Sequence, residues 1–189
     1  MTNPLDAHTA RIGRGLHRFR RLQGIKQSHM AELLGVSQGS ISRWESGTHA
    51  PDAPMRARIE ALIAARVDTT GDAALKRLIE TSSLRIHLIC DATHRLLAVS
   101  PARAQSWRAD AGSYIGTSLW RYASPEIIAA EDGLAERGWF DRPFQSLRFH
   151  TGPNASATIV IGAGWMEWES IPLADGRIGR LTMAVSDIA

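Results

Sequence analysis

The sequence predicts an α+β protein of two domains, an all-α N-terminal domain followed by a domain built on an antiparallel sheet. The chain has 189 residues, more than one small helical module requires. Apolar residues recur at helical spacing as far as Arg66, and short β-rich runs begin after Leu84. Residues 1–66 hold ten basic and five acidic residues, a net charge of +5, whereas residues 67–189 hold twelve and fourteen, a net charge of −2. We therefore divide the chain into domains at 1–66 and 84–189, joined by a linker and connecting helix at 67–83.

Composition excludes several classes of protein. Hydrophobic residues make up 44% of the chain and charged residues 22%, as in globular proteins. No apolar run approaches the roughly 18 residues that a membrane span needs, and the N-terminus has no apolar core typical of a signal peptide. The single cysteine, Cys90, excludes an intrachain disulfide and a multi-cysteine zinc site. We expect a cytoplasmic protein without a membrane partner.

Two helices flank the central segment of the first domain. Thr9 to Gln23 is predicted to form the first helix, and Ala53 to Arg66 the last one. The side chains expected to face inward are Ile12, Leu16, Phe19 and Leu22 in the first, and Met55, Ile59, Leu62 and Ile63 in the last.

The central segment reads as two short helices joined by a tight turn. The first is predicted over Gln27–Leu34 and the second over Gln38–Ser46. Gly35 stands where a chain leaving a helix adopts a positive φ, and Ser37 is a good N-cap for the second helix. Gly47 is expected to end the second helix.

The second helix of this segment has one apolar and one polar side. Ile41 and Trp44 are three residues apart and are expected to face inward, and Glu45 is expected to pair with an arginine of the first helix. The outward side carries amide, hydroxyl and guanidinium groups that can bond to base edges and phosphates. Its residues are Gln38, Gly39, Ser40, Ser42 and Arg43.

These residues resemble the helix-turn-helix of the Cro/CI, or XRE, repressor family over about residues 10–65. The motif positions are Gln27, Ala31, Leu34-Gly35-Val36-Ser37, Ile41-Ser42, Glu45, Gly47 and Pro51. The resemblance implies that Gln27 lies on the phosphate backbone and braces Gln38, that the outward side of the second helix meets the major groove, and that Thr48 and His49 contact phosphates. The DNA-binding set that we predict is Lys26, Gln27, Ser37, Gln38, Gly39, Ser40, Ser42, Arg43, Thr48 and His49.

Two residues depart from the family pattern. Lys26 stands where the family carries a threonine or serine cap, so the helix start should lose roughly 1 kcal/mol of capping, and the lysine can contact a phosphate instead. Gly39 costs roughly 0.5–1 kcal/mol in a helix relative to alanine. It either lets the backbone approach DNA closely or is a tolerated glycine on the solvent side, and the sequence leaves both readings open.

The second half of the chain is predicted to contain five strands. A short helix at Ala73–Ser82 precedes them, with either a dimer contact or plain packing as its role. Strands are expected at Arg85–Cys90, Arg95–Ser100, Phe144–Thr151, Ala157–Leu173 and Arg177–Ser186, a hairpin turn at residues 91–94, and helices at Pro101–Arg108 and Ser124–Arg137. In the last strand Leu181, Met183 and Val185 alternate with Arg180, Thr182 and Ser186.

The order of two strands, helices and three strands resembles a PAS domain over about residues 84–188. Tyr114–Trp120 is similar to the usual entry into that family's main helix. The predicted fold class is thus an all-α, five-helix-type helix-turn-helix domain followed by a PAS-like antiparallel-sheet α+β domain. The resemblance implies a sensory or dimerising module, which in some members holds haem, flavin or a small ligand.

No cofactor or metal is predicted for this PAS-like domain. The light-sensing subfamily needs a reactive cysteine in a helix, whereas Cys90 falls in the first strand. Haem-binding members commonly use a histidine of the main helix, and none occurs between His94 and His150. His87 and His150 are more often ordinary strand residues than ligands. Five tryptophans either line a pocket or fill a core, namely Trp107, Trp120, Trp139, Trp165 and Trp168, and Trp165 and Trp168 alternatively form a sheet face that pairs with a second subunit.

The predicted function is a bacterial, sequence-specific DNA-binding transcriptional regulator acting as a homodimer on double-stranded DNA. Two alternatives remain: a small-molecule or redox sensor with its ligand in the second domain, and a factor that recruits RNA polymerase or another regulator. An enzyme is not expected, because the chain has no Gly-rich phosphate loop, GxSxG or HExxH motif. A self-cleaving Ser-Lys pair is also excluded, since the only lysine beyond Lys26 is Lys76.

Overall fold

The structure is a computed structural model that describes residues 4–67 and 70–185, with side chains from residue 11 onward. Two compact units are present. The helices up to Ala64, together with residues 140–142, form the first unit, and the remaining described residues from Ala65 onward form the second.

Four helices make up the helical part of the first unit. They are α1 (Pro4–Leu22), α2 (Gln27–Leu34), α3 (Gln38–Glu45) and α4 (Ala53–Ile63). The first begins five residues before the predicted Thr9, since a proline fits the first helical position without losing a hydrogen bond. The last ends before the predicted Arg66, because Ala65 and Val67 are buried in the core of the second unit. The fifth helix of the chain, α5 (Ala73–Glu80), also lies in the second unit.

The four helices bury a shared apolar core. Its members are Ile12 and Leu16 of α1, Met30 and Leu34 of α2, Ile41 and Trp44 of α3, and Ile59 and Ile63 of α4. Gly13 lets α1 approach α3 closely, because a Cβ at this position would lie 1.9 Å from the Trp44 carbonyl oxygen. Leu22, predicted to face inward, is 37% exposed at the last residue of α1.

The second unit is built on one antiparallel sheet. Its strands are β1 (Ile86–Cys90), β2 (Leu96–Val99), β3 (Ser146–Thr151), β4 (Gly164–Pro172) and β5 (Ile178–Val185), in the spatial order β2-β1-β5-β4-β3. Between β2 and β3 lie α6 (Pro101–Ser106), α7 (Pro125–Asp132) and two short 3-10 helices, Ala111–Tyr114 and Trp120–Tyr122. The chain thus has the predicted order of two strands, helices and three strands.

Two elements of this unit are shorter than predicted by five or more residues. The strand expected from Ala157 begins only at Gly164, because the Asn154 side chain bonds to the backbone of Ile159 and Ile161 and holds a loop there. The helix expected to reach Arg137 ends at Asp132, with Gly133 as its C-cap.

Both faces of the sheet are covered by other elements. On one face Leu88 and Cys90 of β1 pack with Ile79 of α5, and Leu181 and Met183 of β5 lie against this cluster. Ile79 thus gives α5 the packing role that the sequence allows, and Leu78 of the same helix is 69% exposed. The predicted alternation of β5 is present as far as Val185, since Ser186 lies outside the described residues.

The opposite face of β5 is polar and yet buried. Arg180 is 1% exposed and Thr182 is 3% exposed. They lie beside Ile89 and His87 of β1, their cross-strand partners. No helix within the described residues is long and apolar enough to cross a membrane.

Candidate functional site

A glycine with positive φ and a serine N-cap determine the turn between α2 and α3. Gly35 has a φ of 67°, and the Val36 N–H donates to the Ala31 carbonyl 2.9 Å away, which closes α2. The Ser37 hydroxyl accepts from the Ser40 N–H at 3.1 Å and caps α3. Gly47 has a φ of 74° one residue after the C-cap Ser46. The start of α2 has no such cap, because the Lys26 side chain makes no capping hydrogen bond.

A buried ion pair anchors α3 to α1. The Arg20 guanidinium donates to both oxygens of Glu45, with Nε 2.7 Å from Oε1 and Nη2 2.8 Å from Oε2. His17 Nδ1 lies 3.0 Å from Oε2. Burial raises the pKa of the Glu45 carboxyl, but hydrogen bonds from Arg20, Gln27 and His17 outweigh it and hold the pKa below its ordinary value. The predicted partner of Glu45 in the first helix is therefore Arg20.

Two glutamines extend this network to the surface. The Gln27 side-chain amide donates to Glu45 Oε2 at 2.9 Å, and the Gln38 amide donates to Gln27 Oε1 at 2.7 Å. The first residues of α2 and α3 are thus tied to each other and, through Glu45, to α1. Such a chain fixes the orientation of Gln38, since each amide has a defined partner.

The predicted DNA-binding residues belong to the start of α2, to α3 with its N-cap, and to the turn after α3. Lys26, Ser37, Gln38, Arg43, Thr48 and His49 are exposed, and Gln27, Gly39, Ser40 and Ser42 are half-buried. The Thr48 hydroxyl donates to the Arg43 carbonyl at 3.2 Å and so orders the turn after α3. Ile41 is fully buried and Trp44 is 9% exposed on the opposite side of the helix.

Gly39 has space for a side chain. Its φ lies outside the left-handed region, and an added Cβ would meet Arg43 Nη1 at 3.6 Å and Ser37 Oγ at 3.8 Å, both ordinary contacts. No neighbour within the described residues therefore requires a glycine here.

The second unit contains a cavity between the sheet and the helices that follow β2. The space available to the centre of a water molecule is about 60 Å³. Trp107, Trp120 and Trp168 line it, as do His87, Arg103 and Thr182. Trp139 is instead a core residue that bonds to Asp91, and Trp165 is 37% exposed beside His150.

A buried ionic cluster lies at one wall of this cavity. Arg180 Nε donates to Asp91 Oδ1 at 2.7 Å, and the same guanidinium pairs with Glu131. His94 Nε2 lies 3.4 Å from Glu131 Oε2. Burial raises the pKa of Glu131, but Arg180 and His94 outweigh it and hold the pKa well below its ordinary value. Sequence reasoning missed this cluster, whose members are far apart in the chain and carry no local pattern.

The cavity has no reactive cysteine. Cys90 is buried in β1 among residues of the opposite face of the sheet, where its Sγ accepts from the Ala65 N–H. Among the described residues, no group of three or more histidine, cysteine or carboxylate side chains is placed to bind a metal ion.

Comparisons with known proteins identify the first unit. Residues 16–62 match the model of a helix-turn-helix family. A solved structure entitled "Structure of an RNA-binding Light-Oxygen-Voltage Receptor" is 12% identical to this chain with a TM-score of 0.41. The alignment covers 95% of this chain and 60% of the other, so this chain spans about three fifths of that protein's length. Among curated proteins, no match was found.

The fold and the family match define a helix-turn-helix protein with an additional α+β domain. More particularly, the helix-turn-helix at residues 16–62 is of the XRE type, and the α+β domain has the order of strands and helices that the sequence predicts.

Proposed function

We propose that the chain is a sequence-specific DNA-binding transcriptional regulator, acting as a homodimer in the bacterial cytoplasm. The observation that supports DNA binding is the exposed polar side of α3, whose Gln38 is held in place by Gln27 and Glu45. Arg43, five residues further along the same helix, is also exposed. Guanidinium and amide side chains on a helix of this kind suit the edges of guanine and adenine in the major groove.

The remaining predicted residues are assigned to the phosphates and to the fit of the helix. Lys26 and Gln27 at the start of α2, and Thr48 and His49 after α3, are proposed to contact the phosphate backbone. Ser37, Ser40 and Ser42 add hydroxyl donors between them, and Gly39 allows close approach. A set of this composition offers hydrogen bonds and positive charge, which suit the phosphates and base edges that a regulator contacts.

Homodimerisation is proposed for the second unit. Several of its large apolar side chains are exposed, among them Leu78 of α5 at 69%, Leu84 at 57% and Phe144 at 69%. A dimer with two α3 helices about 34 Å apart would contact successive major grooves on one side of the duplex. The PAS-like domain would then both join the protomers and receive a signal.

Selection of bound duplexes from a random DNA library tests this proposal on the full chain. The expected result is two half-sites with centres about 10 base pairs apart, bound by a protein that sediments as a dimer. Affinity should fall steeply as salt rises, because phosphate contacts release counterions. Failure to enrich any sequence, or an affinity that does not change with salt, would contradict the proposal.

A further inference from the structure

The cavity of the second unit has apolar walls around a small interior. Ile89, Ile127, Ile159 and Met166 contribute to these walls along with the tryptophans. A volume of about 60 Å³ for the centre of a water molecule corresponds to roughly four to six water positions. This space is far too small for the ring system of a haem or a flavin, and it suits an organic molecule of about ten non-hydrogen atoms or fewer.

Four polar atoms of the lining residues are buried without a hydrogen-bond partner among the described residues. They are His87 Nδ1, Arg103 Nε, Trp107 Nε1 and Thr182 Oγ1. Each of these residues is at least nine-tenths buried. Unsatisfied buried polar atoms are rare in folded proteins and cost free energy, so four around one cavity indicate a missing partner.

These atoms come from neighbouring positions. His87 and Thr182 are cross-strand partners on β1 and β5, so their side chains stand side by side on the cavity face. The Trp107 ring meets the His87 ring edge to face, with centroids 5.7 Å apart. The Arg103 guanidinium lies over the Trp107 ring at 5.9 Å.

The chemistry of the four atoms is that of hydrogen-bond donors. Arg103 Nε and Trp107 Nε1 donate only, and the Thr182 hydroxyl and the His87 imidazole can donate. Burial, with Arg103 nearby, holds the pKa of His87 well below its ordinary value, so this imidazole is neutral. A ligand that satisfies this set must present acceptors.

Arg103 also brings a buried charge that no carboxylate of the described residues balances. Burial, with a smaller repulsion from Arg85, lowers the pKa of Arg103 to about 10. Arg180, at the same cavity, is paired with Asp91 and Glu131. Within the described residues Arg103 has no such partner, and an unpaired buried cation is costly.

We propose that this cavity binds a small organic monocarboxylate, whose carboxylate pairs with Arg103 and whose apolar body lies against the isoleucines and tryptophans. One uncompensated positive charge fits a monoanion, and a guanidinium matches the planar carboxylate with two parallel hydrogen bonds. The His87, Trp107 and Thr182 donors complete its coordination. The binding of the carboxylate is argued from the cavity alone, and only a regulatory role for this ligand rests on the proposed function.

The test uses the full chain with benzoate and hexanoate as probes, and benzamide and hexanamide as neutral controls of the same shape. Binding is followed by the melting temperature and by the fluorescence of the cavity tryptophans. We expect at least one carboxylate to raise the melting temperature at about 10 mM or less, and its amide to have no comparable effect.

Variants assign the effect to Arg103. Arg103→Met should weaken carboxylate binding by about tenfold or more, because it removes the charge-assisted hydrogen bonds. Without ligand this variant should be as stable as the wild type, since it also removes an unpaired buried charge. Arg108→Met is the matched control: Arg108 is exposed, outside the cavity, and its loss should leave binding unchanged.

Three results would overturn the proposal: no shift with either carboxylate, equal shifts with carboxylates and amides, or unchanged binding by Arg103→Met. If Arg103→Met does not fold, the wild-type comparison of acids with amides still decides whether a carboxylate is bound. DNA selection on the same preparations separates the two proposals. Enriched DNA with no carboxylate effect removes only the ligand assignment, and carboxylate binding without enriched DNA removes only the regulator assignment.

Discussion

Replacing Gly39 by alanine should have opposite effects on two properties, the stability of α3 and its affinity for DNA. The new Cβ would make only ordinary contacts, the nearest being Arg43 Nη1 at 3.6 Å, and the backbone of Gly39 is not left-handed. Alanine in a helix is favoured over glycine by roughly 0.5–1 kcal/mol. For a domain of about 60–100 residues, we therefore expect Gly39→Ala to raise the melting temperature by about 2–8 °C.

DNA binding should change in the opposite direction. If the glycine allows close approach, the added methyl group should weaken binding to the selected DNA by about tenfold, equivalent to about 1.4 kcal/mol. Thermal unfolding without DNA and fluorescence anisotropy with the selected duplex measure the two effects separately. A stabilised protein with unchanged affinity would refute the close-approach role and leave Gly39 as a tolerated glycine on the solvent side.

Gly13→Ala is the matched control for this experiment. It gains the same helix propensity, but its Cβ would lie 1.9 Å from the Trp44 carbonyl oxygen. The helices α1 and α3 must separate to accept it, so we expect a loss of about 1–3 kcal/mol or more in the free energy of unfolding. Equal effects of the two substitutions would show that the packing of α1 against α3 is not as described here.

The remaining predictions concern capping, the buried ion pairs and their pH dependence. Lys26→Ser should raise the free energy of unfolding by about 1 kcal/mol in urea titrations, because α2 has no side-chain cap and serine can supply one. An unchanged free energy of unfolding would contradict a capping role for position 26. Glu45→Gln should cost about 3 kcal/mol at pH 7. Folding lowers the pKa of Glu45. The ionised carboxylate therefore stabilises the folded protein fully above the unfolded-state pKa of roughly 4.3, and this stabilisation is lost as the pH falls through the lower folded-state pKa. The free energies of unfolding of the wild type and the variant should thus converge in acid. A difference in the free energy of unfolding that stays constant with pH would show that ionised Glu45 does not stabilise the fold. Arg180→Met should cost about 3–5 kcal/mol, since Asp91 and Glu131 lose their partner, and near-neutral stability would contradict the charged form of the cluster.

The sequence predicted the helix-turn-helix segment closely because its signals are local. The bounds of α2 agree with the prediction, and those of α3 differ by one residue. The positive φ of Gly35 and the cap by Ser37 each depend on a few neighbouring residues. The anchor at Glu45 was also predictable, since a buried acid on α3 needs a cation and α1 is rich in arginine.

The interior of the second unit was not predictable in the same way. Arg180 alternates with apolar residues in β5, a pattern that normally indicates an exposed side chain. It is buried because Asp91 and Glu131, 89 and 49 residues away in the chain, supply its counter-charges. Residues 157–163 were predicted as the start of a strand but belong to a loop, because the hydrogen bonds of Asn154 compete with the pairing of strands.

Base-by-base specificity of an Arg43→Ala variant tests the central claim most directly. The preference of the full chain at every position of the selected DNA is compared with that of Arg43→Ala and of Arg58→Ala, an exposed arginine on α4. We expect Arg43→Ala to lose the preference at one position of each half-site, at a cost of about 1–3 kcal/mol, and Arg58→Ala to keep the full pattern. An Arg43→Ala protein with wild-type affinity and unchanged preference at every position would contradict the assignment of α3 as the helix that reads DNA.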